Sequence, residues 1–576
     1  MRGKGVYMRT AIVGYSGFVG SNICAKFSFD FKYDIKNITE AFGTKPDLLV
    51  YAAVSAEKYM ANENPSRDID LIKNAFDTIV NIAARKLVLI SSIDVCGYPV
   101  FGDEDECLKT PAESAYGTNR RILEEMVRER FPNCLIVRLP ALFGMNLRKN
   151  FIFDILNRNP TSLSKAKYQE IFKRENQIAD FYSLEANGFY KLHLINEIDS
   201  IRLNHIYSRV GFSSLNFTDS RNKYQFYDLQ NLWKHIEIAV KNEIEVLNVA
   251  TEPISAEEIY CYLSGAPFCN IIRKDPLMYD FRTKYAVLFG GDNGYIFTKK
   301  KVLEDISKFI KRMAYKLSIS NIAWQKESDD KVCSYAKSKG YSGIEVAPNI
   351  IAGAEPYDHL LLGKEYAQEL YQKHGLRISS MQSICYGKKE NIFGTAEENE
   401  ELRRYVCKAI DFARLIECKN IVFGCPKNRI ITSEVTQHSV GIDFFKFVGN
   451  YAAGKDVVVS IEPNPKIYGT NFLNTTSEAI KFIEEVNSPG IMLNLDLGTM
   501  IENGENLDTI EKHILKIHHI HVSEPNLARI EKRSLYSDLA KMLLKHGYKG
   551  YVSIEMNNKN TVQEIFDAID YINEVF

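Results

Sequence analysis

The chain has 576 residues, 45% of them apolar and 25% charged, with Lys+Arg 72 against Asp+Glu 73. At about 150 residues per domain this length predicts two to four domains, or two large ones, and the composition excludes disordered, collagen-like and mucin-like classes. A formal net charge of -1 excludes a polyanion-binding footprint over the whole surface. Nucleic acid is therefore not an expected partner, although a local basic pocket for a phosphorylated or nucleotide-linked substrate stays open.

The opening segment MRGKGVYMRTAIVGYSG runs straight into a strand-like stretch without the apolar core of a secretory signal. No run approaches the roughly 18 apolar residues that span a bilayer. The 11 cysteines include no C-x-x-C pair, which reads as reduced thiols rather than a disulfide framework or zinc ribbon. These features predict a cytoplasmic protein with no membrane partner.

The first third alternates strand-like runs, Arg9–Val13, Asp47–Ala52, Lys86–Ser91 and Cys134–Leu139, with helical patterns at Ile69–Ala84 and Asn119–Arg130. That alternation predicts βαβ crossovers and a doubly wound parallel sheet of the Rossmann type. Gly14-Tyr15-Ser16-Gly17-Phe18-Val19-Gly20 follows the first strand and opens a helix. Glycines there let the backbone turn tightly and approach a pyrophosphate on the helix N-terminus, the arrangement of a dinucleotide site. Asp34 lies where a ribose-binding acid is expected. Asp30 competes for that role, and Lys32 and Lys36 leave NAD against NADP open.

Ser91-Ser92-Ile93-Asp94-Val95-Cys96-Gly97 and Tyr116-Gly117-Thr118-Asn119-Arg120 come next. With these the chain resembles the extended short-chain dehydrogenase/reductase family of nucleotide-sugar epimerases, dehydratases and reductases, well over about residues 8–150 and loosely to about 310. The short path to Pro46–Ala53 looks most like the dTDP-4-dehydrorhamnose reductase branch. The resemblance implies that Ser92 orients a substrate oxygen and that Tyr116 is the general acid/base. It places Gly14, Gly17, Phe18, Val19, Gly20, Asp34, Ala52, Ala53, Tyr116 and Arg120 around NAD or NADP. The family's lysine, which lowers the tyrosine pKa as a nearby cation, is Arg120 here. Arginine keeps the charge without the geometry of a compact ammonium, so either an active redox site or a non-catalytic cofactor module fits. Arg138 and Asn150 are further candidates for a phosphate-bearing substrate.

Residues 151–313 are read as a substrate-side extension of this first domain, 1–313. From 314 to 576 the rhythm changes to eight short apolar runs, Ile319–Trp324, Gly343–Ala347, Arg377–Gln382, Asn420–Gly424, Asp456–Glu462, Ile491–Asp496, Ile517–Val522 and Gly550–Glu555. Helical patterns at Ala396–Ile416, Thr476–Val486 and Ser537–His546 fall between them. Eight β/α units in about 260 residues predict a (β/α)₈ TIM barrel.

Four of these strand ends carry metal-ligand side chains, Glu462, Asp496, His521 and Glu555, separated by 34, 25 and 34 residues. Spacing of about one β/α unit projects all four into the C-terminal mouth, where barrel active sites form. Three carboxylates and one imidazole suit Mn²⁺, Mg²⁺ or Co²⁺, and also Zn²⁺. This region resembles the sugar phosphate isomerase/epimerase family, the xylose isomerase-like barrels. The resemblance implies that Glu462 and Glu555 ligate the metal and also exchange protons on opposite faces of a substrate carbon through an enediolate. Trp324, Glu345, Gln382, Asn464 and Glu524 are further mouth candidates. Strand alternation sends His519 to the side of His521 and His518 away from it.

Together these readings predict a bifunctional enzyme of carbohydrate metabolism acting on a sugar, sugar phosphate or nucleotide sugar. Both families imply a homo-oligomer. The alternative is a barrel isomerase, or an inosose dehydratase-like lyase, regulated by a non-catalytic dinucleotide module. Endonuclease IV type barrels are disfavoured, because their multi-zinc sites need several more histidines.

Overall fold

The computed structural model describes residues 8–97, 100–431 and 437–576, so the reading of the first seven residues as part of a leaderless N-terminus lies outside the described residues. The chain divides into two compact units, one of residues up to 155 with 215–310, the other of 156–214 with 311–576.

The first unit is built on six parallel strands: β1 (Thr10–Val13), β2 (Phe31–Tyr33), β3 (Leu48–Tyr51), β4 (Lys86–Ser92), β5 (Leu135–Leu139) and β6 (Val246–Asn248), in the order β6-β5-β4-β3-β1-β2. The order reverses between β1 and β3, as at the topological switch point of doubly wound sheets. Both faces are covered, so the strands read as continuous apolar runs. Ile12, Val50, Val88 and Val137 pack into one core and Leu49, Leu87, Leu89 and Ile136 into another. β2 and β6 escape the sequence reading because each is three residues long. Helix α1 (Phe18–Cys24) follows β1 and the glycine loop.

The cysteine reading needs one correction. Cys96 and Cys107 are disulfide-bonded with Cα atoms 4.9 Å apart, while nine cysteines are free. The turn at 103–107 returns Cys107 to an apolar cluster of Ile93, Val95 and Phe281 beside Cys96.

In the second unit a closed barrel of eight parallel strands runs β7 (Lys316–Ser320), β8 (Gly343–Val346), β9 (Arg377–Met381), β10 (Asn420–Phe423), β11 (Val458–Ile461), β12 (Ile491–Asp496), β13 (Ile517–Val522) and β14 (Tyr551–Ile554). Several surrounding helices begin with Thr-x-x-Glu capping boxes, at Thr395/Glu398, Thr475/Glu478 and Thr561/Glu564, which satisfy the otherwise orphaned N-terminal N–H groups. β7 starts three residues before the predicted run, because its buried Ser318 and Ser320 break the apolar pattern.

Residues 156–214, expected as part of one extension over 151–313, group instead with the barrel. They form a three-stranded antiparallel sheet and helix α2 (Glu197–Val210) around Leu163, Tyr168, Ile171, Leu203 and Ile206. The Asp456 carboxylate accepts from the Glu197 N–H at 3.0 Å, and Arg158 donates to the Leu544 carbonyl at 3.1 Å. These bonds tie the segment to the N-terminal end of the barrel.

Candidate active site and metal centre

The four residues at the ends of β11 to β14 converge. The ligand atoms of Glu462, Asp496, His521 and Glu555 all lie within 4.8 Å of one another. Nδ1 of His521 is 2.8 Å from Oε1 of Glu462, 3.2 Å from Oε2 of Glu555 and 4.0 Å from Oδ2 of Asp496. Asp496 also caps the next helix, accepting from the Thr499 N–H, and takes the Ser523 hydroxyl on its other oxygen.

Three carboxylates crowded in one buried site repel one another. Burial, with the Glu462 charge adding to it, pushes the Asp496 carboxyl up to about 6. Burial likewise lifts Glu555 to about 7, against the lowering pull of His521. A divalent cation would relieve this crowding, and the one-nitrogen, three-carboxylate donor set suits such an ion.

The other nitrogen of His521 is held from behind. Its Nε2 lies 3.0 Å from Oε2 of Glu345, and Nε2 of His519 lies 2.9 Å from the same oxygen. Burial pushes the Glu345 carboxyl up, but the two imidazoles overcome it and hold it well below the usual carboxylate range. Gln382 completes the link, donating to Oε1 of Glu345 at 3.2 Å and to the Ser320 hydroxyl at 2.6 Å. With Nε2 engaged by a carboxylate, Nδ1 is left facing the ligand cluster.

His518 does not point away. The pairing of β12 and β13 shifts register between Leu493 and Asn494, a bulge that breaks strict alternation. Nδ1 of His518 therefore reaches Oδ1 of Asn420 at 2.8 Å, and its Nε2 meets Oε1 of Glu197 at 3.2 Å. Two other expected mouth residues serve their own loops. Glu524 is gripped by Arg533 through two bonds of 2.7 and 2.6 Å and by the Tyr536 hydroxyl. Buried Trp324 donates to Asp329. Three site residues went unread in the sequence. Asn494 donates to Oε1 of Glu462 at 2.7 Å, and its place two residues before Asp496 was a usable signal. Tyr468, raised to about 12 chiefly by burial and also by the three carboxylates, and Arg429 carried none.

Residues 333–575 match the family model described as the xylose isomerase-like TIM barrel. The C-terminal region is a xylose isomerase-like TIM barrel. The match begins after β7, which closes this barrel against β8 and β14. A probable ketose 3-epimerase from Synechocystis sp. is 25% identical over 260 residues, 42% of this chain and 84% of that protein. Among solved structures, a 3-keto-D-glucoside 4-epimerase from E. coli is 18% identical over 45% of this chain and 99% of its own, with a TM-score of 0.38. A D-psicose 3-epimerase from Clostridium cellulolyticum H10 is 16% identical over 45% and 99%, with a TM-score of 0.38.

In the first unit the glycine loop is sterically required. A Cβ on Gly20 would lie 2.1 Å from the Gly14 carbonyl oxygen, and one on Gly14, at φ +89°, would lie 2.7 Å from that of Ala52 and 2.9 Å from the Ala53 nitrogen. A Cβ on Gly17 would stand 3.3 Å from the Gly14 oxygen. Phe18 and Val19 open α1 and pack against the core. Asp34 accepts from the Ser16 hydroxyl at 3.2 Å, whereas Asp30 bonds Thr10 at the start of β1 and so lies at the opposite end of the strands.

Ser92 and Tyr116 are brought together, but their surroundings differ from expectation. The Arg120 guanidinium forms a buried ion pair with Asp68, donates to the Ser55 carbonyl at 2.6 Å and lies 3.8 Å over the Tyr116 ring. Burial outweighs the pull of Arg120 and of the Ser92 hydrogen bond, so the Tyr116 phenol is raised rather than lowered. Arg138 is fully buried in a pair with Glu124 at 2.6 Å, and Asn150 bonds the Leu142 carbonyl and the Phe153 N–H. Both have structural partners in place of a phosphate.

Proposed function

We propose that the barrel is a divalent-metal-dependent sugar or sugar-phosphate isomerase or epimerase, and that the first unit binds NAD or NADP. The observation that carries the first part is the convergence of Glu462, Asp496, His521 and Glu555 at the mouth of a xylose isomerase-like barrel. These four side chains would hold the ion, Mn²⁺, Mg²⁺ or Co²⁺ before Zn²⁺, and such an ion supplies positive charge that stabilises an enediolate.

The chain's own groups handle the proton. Glu462 accepts from Asn494 at Oε1 and from Asn464 at Oε2, bonds that orient its carboxylate for work as a general base on the carbon acid beside a carbonyl. Glu555, whose Oε2 lies 3.2 Å from the His521 Nδ1 that Glu462 also meets, is the second carboxylate of the site and suits its return. The Glu345–His521 pair fixes the imidazole between the two carboxylates. The probable ketose 3-epimerase among the relatives favours ketoses as the first substrates to test. Wash-in of solvent deuterium at the carbon beside the carbonyl of D-fructose or D-tagatose, followed by NMR with Mn²⁺, tests the reading. An inosose dehydratase-like elimination would give loss of water instead.

For the first unit the glycine contacts, the switch point and Asp34 beside Ser16 support a bound dinucleotide. The capture of Arg120 by Asp68 favours a cofactor-binding regulatory module over an NAD(P)-dependent sugar reductase or epimerase, because that cation is neutralised next to Tyr116. Titration of NADH and NADPH fluorescence tests binding. Turnover of either with any nucleotide sugar would restore the catalytic reading.

A further inference from the structure

We infer that Arg429 is a positioning residue for Glu462, acting through Asn464 and the Glu462 carbonyl, and that it thereby sets the metal affinity of the barrel. The inference rests on the metal-dependent reading above. Glu462 follows β11, and its carboxylate leans toward the end of β10. A Cβ on Gly424 would lie 2.3 Å from Oε2 of Glu462, so the segment leaving β10 must pass that oxygen without a side chain. Five residues on, Arg429 is fully buried. Its Nη2 donates to the Glu462 carbonyl and to Oδ1 of Asn464, each at 2.7 Å. Asn464 in turn donates from Nδ2 to Oε2 of Glu462 at 3.2 Å.

The direction of this chain follows from the donor inventory. A guanidinium has five N–H donors and no acceptor, so it can bond Asn464 only at the amide oxygen. That choice leaves the amide NH₂ facing the carboxylate, where an amide turned the other way would oppose oxygen to oxygen. With Asn494 and His521 on Oε1, both oxygens of Glu462 are then fixed. The neighbouring loops brace the arrangement. Asn428 donates to the Lys388 and Glu390 carbonyls, Thr470 to the Arg429 carbonyl, and Asn474 to the Asn464 carbonyl.

Nε and Nη1 of Arg429 have no hydrogen-bond partner among the described residues. A buried cation is costly unless paired and hydrogen-bonded. An arginine that merely filled space would be replaceable by an apolar side chain at little cost, whereas one that orients a ligand is needed for its two bonds. The two roles differ in what they do to metal binding.

The test titrates Mn²⁺ alone into the full-length protein, reading free Mn²⁺ by electron paramagnetic resonance, for the unsubstituted chain, Arg429→Met, Asn464→Ala and the double variant. Removing such supporting partners weakens metal binding by about 10- to 100-fold, and that loss is expected in each single variant. Because Arg429 acts partly through Asn464, the double variant should lose less affinity than the product of the two single losses. Unchanged affinity in folded Arg429→Met, or losses that multiply, overturns the inference. If Arg429→Met does not fold, Arg429→Lys decides: it keeps the cation without the planar group, and a loss of about threefold or more is expected, whereas wild-type affinity overturns the inference. An unsubstituted chain that binds no Mn²⁺ defeats the proposed function and this inference together. Mn²⁺ binding without exchange of any ketose defeats only the assigned reaction.

Discussion

Oε2 of Glu345 lies 3.0 Å from Nε2 of His521, with both side chains fully buried. The same oxygen is 2.9 Å from Nε2 of His519, so one carboxylate on β8 hydrogen-bonds one imidazole of β13 and stands within ion-pair distance of a second. Substituting Glu345→Gln is expected to weaken Mn²⁺ binding by about 10- to 100-fold. Breaking a buried pair on one side also destabilises, by about 3–5 kcal/mol. Mn²⁺ titration and urea unfolding of the variant check the two effects separately.

Stability of the metal-free chain should fall as pH rises through the site's range. Glu555 and Asp496 are raised, to about 7 and about 6, so the folded state holds protons that the unfolded chain has already released. Their contribution is fully present below the unfolded carboxylate values and is lost as pH rises to about 7. His521, raised by Glu345 and Glu555 against its burial, adds stability below its unfolded value that disappears only at higher pH. Mn²⁺ removes the carboxylate repulsion, so the gain in melting temperature on adding Mn²⁺ should grow from pH 5 to pH 8, by on the order of 5 °C. A gain that is constant over that range contradicts the assignment.

Glu462→Gln and Glu555→Gln should each abolish deuterium exchange into a ketose while the chain remains folded by circular dichroism. The amides keep shape and hydrogen bonding but cannot carry the proton, and loss of general acid/base catalysis costs about 10²–10⁴-fold. Near-normal exchange in both variants would defeat the pairing of these carboxylates.

In the first unit, Gly14→Ala should destabilise and abolish NADH binding. Its Cβ would meet the Ala52 carbonyl at 2.7 Å at a φ of +89°, and a side chain in such backbone costs about 1–3 kcal/mol. Tyr116→Phe should leave NADH binding intact, because the proposed site rests on the glycine loop and Asp34. Fluorescence titration of both variants distinguishes them, and equal affinity in both would remove the glycine loop from the site.

The Cys96–Cys107 disulfide joins residues 11 apart in the chain. A short loop of this kind contributes about 2–4 kcal/mol, so Cys96→Ser should lower the urea midpoint of the first unit and leave Mn²⁺ binding unchanged. An unchanged urea midpoint would contradict that contribution.

Much of this was legible along the chain. The barrel was readable because each β/α unit repeats the same short pattern, and the convergence of Glu462, Asp496, His521 and Glu555 because they recur at its strand ends. The glycine loop was readable because one local turn demands residues without a Cβ. Those features depend on neighbours in sequence. What only the tertiary structure decided depends on partners far apart: Glu345 is 176 residues from His521, Asp68 is 52 from Arg120, and Arg429 is 35 from Asn464. The direction of His518 turned on one bulge, and residues 156–214 went to the barrel through Asp456 and Leu544. A charge or hydrogen bond acts through space at a few ångströms, so composition and periodicity determined which residues reach the mouth of the barrel, and packing alone determined which of them hold the others in place.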